Sequence, residues 1–105
     1  MSVADLTPDS ELIIEAKSDG ANYHKLKLLV DFADVVASGA KSFEIRKNDR
    51  GYQRGDFIQF NTVDIDGEPA AIDRPVNTMM FEITYVLSGW GIKDGYVVFG
   101  IRRVL

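Results

Sequence analysis

The stretch "KSFEIRKNDRGYQRGD", Lys41 to Asp56, decides how this chain is read. Its first half alternates: Phe43 and Ile45 fall on one side of an extended strand, Ser42, Glu44 and Arg46 on the other. Its second half is turn chemistry, "NDRG" and then "RGD", with glycines at positions 51 and 55. The basic residues Lys41, Arg46, Lys47, Arg50 and Arg54 all lie within it. Such a strand, running into basic glycine turns, is either the wall of a site for a phosphate-bearing ligand or a solvated hairpin.

Upstream, "YHKLKLL" (23–29) alternates lysine with leucine and reads as a half-buried strand. "VDFADVVASG" (30–39) places Phe32, Val35 and Val36 at helical spacing and stops at Gly39, which predicts a short helix of two to three turns. Downstream, "FIQFNTV" (57–63), "MMFEITYVL" (79–87) and "YVVFGIRRV" (96–104) read as three more strands, with Phe81, Ile83, Tyr85 and Leu87 sharing a face. Residues 64–77 hold two prolines and little periodicity, a long connector that is either passively mobile or a lid. Five short strands and one or two short helices predict a mainly β, α+β fold, a small and mainly antiparallel barrel.

Residues 1–22 read as an acidic N-terminal segment ahead of a domain at 23–105. Residues 1–20 carry Asp5, Asp9, Glu11, Glu15 and Asp19 against Lys17 alone, a net −4 that equals the charge of the whole chain. "TPDSELIIEAK" (7–17) fits a short helix capped by Thr7, although "ELIIEA" also suits a strand. The body is therefore neutral with one basic stretch, which argues against strong binding to duplex nucleic acid and leaves short or single-stranded ligands open. The chain has no cysteine and one histidine, His24. That excludes disulfides, cysteine-ligated zinc, thiol catalysis and multi-histidine metal sites, and no cofactor or metal is expected. Apolar runs fall short of the roughly 18–20 residues of a membrane span, and the N-terminus lacks a signal-peptide pattern, so a cytoplasmic protein without membrane contact is expected.

In combination, "HKLKLLVDFADVVASGAKSFEIRKNDRGYQRGDFIQF" (24–60) and "FEITYVLSGWGIKDGYVVFGIRRV" (81–104) resemble small ASCH-type domains of the PUA-like superfamily, found in bacteria and their phages. The resemblance covers about residues 23–103. It implies a five-stranded pseudobarrel with a cleft beside the first helix, an architecture that in the superfamily commonly holds RNA or modified nucleosides. One ASCH branch hydrolyses N4-acylated cytidines with a lysine, a threonine three residues later and a glutamate from a helical insertion. Gly39-Ala40-Lys41 resembles the entry to that site, but Glu44 stands at the threonine position and no insertion separates "YVLSG" from "GYVV".

Two functions follow as expectations. The first is a binding module for RNA or a modified nucleotide, with Lys41, Glu44 and Arg46 lining the cleft. Lys47, Arg50 and Arg54 would meet phosphates, and Tyr52 and Trp90 are candidates for stacking on bases. Tyr52 and Trp90 equally suit plugs for a barrel end, and for Trp90 the plug is the reading we prefer. The second is an amidohydrolase with Lys41 as base and Glu44 assisting, drawing a hydroxyl from Ser42 or Thr84. A third role, docking of the acidic segment on a protein partner or over the basic patch, is also open.

Overall fold

The computed structural model describes residues 20–105; the helix expected over 7–17 and most of the acidic segment lie outside the described residues. Five strands form one curled sheet: β1 (Tyr23–Leu29), β2 (Phe43–Lys47), β3 (Phe57–Val63), β4 (Phe81–Leu87) and β5 (Tyr96–Arg103). Their order is β1-β3-β4-β5-β2, so the consecutive strands β1 and β2 stand at opposite edges. Among the described residues only β1 and β3 pair in parallel, from Tyr23↔Phe57 to Leu29↔Val63. The other pairs are antiparallel. The parallel pair needs a crossover, and 30–56, which contains the helix and β2, supplies it.

The sheet is a half-barrel because it curls until its edges face each other without pairing. Arg46 on β2 donates to the Lys27 carbonyl at 2.7 Å, and Arg50 to that of Lys25 at 3.2 Å. Guanidinium groups, not peptide bonds, thus close the seam between β1 and β2. Inside lie Leu26, Leu28, Ile58, Phe60, Phe81, Ile83, Val97, Phe99 and Ile101, all buried. The alternation in "YHKLKLL" is realised as read, with His24, Leu26 and Leu28 buried and both lysines exposed.

The expected helix forms as a 3-10 turn (Val30–Phe32) leading into α1 (Ala33–Ala37), and Gly39 ends it at φ 85°. Its buried face is Ala33 and Val36, whereas Phe32 and Val35 are exposed, a rotation from the face the spacing predicts. The 3-10 entry turns fewer residues past each other than an α-helix would, and this displaces the stripe. In β4 the expected face holds through Phe81 and Ile83 and then breaks. A bulge at Thr84 moves the register from Ile83↔Ile101 to Tyr85↔Gly100, leaving Tyr85 exposed while Val86 packs on the core. The Thr84 hydroxyl lies 2.5 Å from where a Cβ on residue 100 would sit, so Gly100 makes room for the bulge.

The 64–77 connector is tied down at its end. Pro75–Thr78 forms a 3-10 turn with Val76 fully buried. Asn77 exchanges hydrogen bonds with Thr62, accepting from its amide and donating to its hydroxyl, both at 3.0 Å. Among the described residues no helix is long and apolar enough to cross a membrane.

Candidate functional site: the seam between the edge strands

The seam is built on an inversion. From "SFEIR" one expects the apolar residues of β2 inside, yet Phe43 and Ile45 are exposed and Glu44 is only 3% exposed. Burying a lone carboxylate costs several kcal/mol, so the position requires partners. Lys41 supplies one, an ion pair to one Glu44 oxygen. Arg46 supplies the other, donating from Nε at 3.0 Å and from Nη2 at 2.8 Å to the second oxygen. Both carboxylate oxygens are thereby paired. The same Arg46 Nη2 also reaches the Lys27 carbonyl, so one buried acid orients the residue that holds the seam.

Lys41 is committed further. It donates to the Phe43 carbonyl at 2.9 Å and lies 5.3 Å and 5.0 Å from the Phe32 and Phe43 ring centres. These are the contacts of an ammonium ion over aromatic faces.

Two basins open along the seam on either side of Arg46. One, about 380 Å³, lies beside the 3-10 entry to α1 and is lined by Phe32, Lys41, Phe43, Glu44 and Arg46 together with the end of β1. The other, about 510 Å³, is lined by Lys25, Leu26, Lys27, Arg46, Lys47, Asp49, Arg50, Tyr52 and Asn61. Five cations face one acid there. Both volumes fall within the range of small-molecule sites.

Tyr52 is the centre of the second basin. It is 5% exposed, with its ring 4.9 Å from His24 and 4.8 Å from Phe99. Those contacts fix the ring in the core. The hydroxyl makes no hydrogen bond among the described residues and is open to solvent, and the residue lines the basin. Burial raises its pKa above the ordinary 10.0, with Arg46 and Arg50 partly opposing the rise. At neutral pH it is therefore a protonated donor.

The floor beneath is held by Asp56, the aspartate of "RGD". It is buried, it meets His24 Nε2 at 2.8 Å, and it accepts from the amides of Gln53 (3.0 Å) and Asn22 (3.1 Å). The triplet is turn chemistry that pins the Tyr52 turn to the start of β1.

Of the residues singled out in the sequence, Lys41, Glu44 and Arg46 form one network, and Lys47, Arg50 and Tyr52 gather around the larger basin. Arg54 is exposed and lines neither basin. Trp90 is 90% exposed at φ 53°, between Gly89 and Gly91, and plugs nothing. A left-handed turn of three residues projects the indole outward, which corrects the plug reading. Lys25, Lys27 and Asn61 belong to the cleft and were missed. Their signal was the lysine alternation of β1, which carries no hint that β1 faces β2 across a gap.

Fold and site together define a small half-barrel domain with a basic cleft at its unpaired seam. The chain belongs to the family described as "Domain of unknown function (DUF3850)", whose model matches residues 23–101. It is also similar to a protein of Escherichia phage P2 described as "Uncharacterized 12.9 kDa protein in GpA 3'region", 45% identical over 38 residues. That match covers 36% of this chain and 35% of the phage protein, so the chain spans about a third of that relative's length.

Proposed function

We propose that the seam is a binding site for a phosphate-bearing ligand, single-stranded RNA or a modified nucleotide, and that the protein acts as a binding module. One observation carries this reading: a buried tyrosine with a free hydroxyl, lining a cleft with five cations and one acid. The ring is held by His24 and Phe99, which leaves the hydroxyl available to a ligand. The surrounding cations favour an anion, and guanidinium groups suit phosphate. The resemblance to ASCH-type domains of the PUA-like superfamily supports the same class of ligand.

Arg46 and Arg50 already serve β1 carbonyls, so a phosphate would either share them or displace them. Lys25 and Lys47 are exposed on the cleft rim and complete the positive field. The hydrolase alternative draws on Lys41 as a base, and the commitment of its ammonium to Glu44, to a carbonyl and to two rings favours binding instead.

Calorimetric titration with a short single-stranded RNA, its duplex and a nucleoside monophosphate tests the proposal. With about three free cations engaged, log K should fall with log salt at a slope of about −2 for the single strand. Arg50→Ala should weaken binding about tenfold and flatten that slope. No heat with any of the three, from folded protein, would remove the proposal.

A further inference from the structure

The β4–β5 hairpin ends in a turn that suits its residues poorly. Gly89, Trp90 and Gly91 are all left-handed, at φ 71°, 53° and 88°, and the Ile92 amide donates to the Gly89 carbonyl at 3.0 Å. That is the φ pattern of a type I′ turn, whose first central position belongs to asparagine, aspartate or glycine. A bulky L residue there strains the backbone. Burial does not offset the strain, because the indole is 90% exposed. Among the described residues no ring, cation or hydrogen-bond partner meets it. A strained turn thus holds a flat ring out in solvent.

The loop is fastened to the rim of the larger basin. The Gly95 carbonyl accepts from the Asn48 amide at 2.8 Å, and Tyr96 stands opposite Lys47 in the β2–β5 ladder. Lys93 lies 5.4 Å from the Tyr96 ring centre. Cations therefore continue from the basin onto the loop as Arg50, Lys47 and Lys93, with the acids Asp49 and Asp94 among them. Three against two is a weak field. At this end of the molecule the face of the ring, not charge, is what a ligand would meet.

We propose that Trp90 is a second subsite of the seam, a platform on which a base stacks. The ligand is then a single-stranded RNA long enough to reach from the basin to the hairpin, and not a mononucleotide. This rests on the reading of the seam as a phosphate site. An exposed indole offers its face to any base, whatever the sequence. In a duplex the faces of the bases are already stacked on their neighbours, so the platform selects an unpaired strand.

Trp90 is the only tryptophan of the chain, so its fluorescence reports the subsite directly. The test titrates the full-length protein with a nucleoside monophosphate and with a single-stranded RNA of about eight nucleotides, comparing wild type, Trp90→Asn and Arg50→Ala. The RNA should quench Trp90 and the monophosphate should not. By calorimetry Trp90→Asn should bind the RNA about tenfold more weakly, equally so at low and high salt, with monophosphate affinity unchanged. Its melting temperature should match or exceed that of wild type, since asparagine suits the turn. Trp90→Phe keeps a ring and should recover most of the loss. RNA binding that weakens in Arg50→Ala, yet neither quenches Trp90 nor weakens in Trp90→Asn, overturns the platform and leaves the seam reading intact; a protein surface then becomes the ring's partner to test. Absence of binding by both ligands overturns the two readings together.

Discussion

The two edge strands obey opposite rules. β1 buries its leucines and exposes its lysines, as an ordinary half-buried strand does. β2 exposes Phe43 and Ile45 and buries Glu44. The difference is that β1 covers the core, whereas β2 is the wall of a polar cleft. Its buried position is an acid, satisfied by Arg46 on the same strand and by Lys41 just before it, and its apolar residues are exposed. A strand whose hydrophobic pattern points the wrong way thus marks where the fold gives up packing for a site.

Substitutions can break this contrast. The largest expected effect is at Glu44. Glu44→Ala leaves Lys41 and Arg46 facing each other and releases Arg46 from its seam geometry, a loss of about 3–5 kcal/mol in urea unfolding. If the loss is under 1 kcal/mol, the carboxylate is not what holds β2. Leu26→Ala on β1 should cost about 3 kcal/mol, as a fully packed leucine does, and a near-neutral result would mean that the core does not extend to this edge.

A smaller effect concerns pH. The folded-state pKa of Tyr52 is raised by burial, so its neutral form is favoured by the fold. Its contribution is complete below the unfolded value of 10.0 and is lost as pH rises through the folded value, because only the unfolded chain gains by ionising in between. Tyr52→Phe should therefore flatten the alkaline fall in stability; an unchanged fall assigns it to other groups. Smallest is Ile45→Ser, an exposed residue at the rim of the smaller basin, expected within about 0.5 kcal/mol of wild type. A larger loss there would mean that Ile45 is covered in solution.

Much of the frame was legible. The β1 alternation, the glycine stops and the strand–turn rhythm are local, and each survives as read. What was not legible depends on distant partners. Nothing in "SFEIR" alone says that Lys41 and Arg46 fold onto Glu44 and turn the strand over. The Thr84 bulge is visible only with Gly100 opposite it. Lys25 and Lys27 were read correctly as exposed but not as cleft residues, because their nearness to Arg46 and Arg50 comes from the curl of the sheet. Tyr52 was a candidate for base stacking. Its ring is spent on His24 and Phe99, and its hydroxyl is the part left for a ligand.

The most direct measurement is the affinity of wild type and Tyr52→Phe for the same short single-stranded RNA, with unfolding curves for both at neutral pH. The substitution keeps the ring contacts and removes only the hydroxyl. A hydrogen bond to a charged group is worth about 1.5–3 kcal/mol, so binding should weaken at least tenfold while stability holds or rises slightly. Equal affinity in the two proteins would show that the seam hydroxyl meets no ligand, and the cleft would lose its claim to be the binding site.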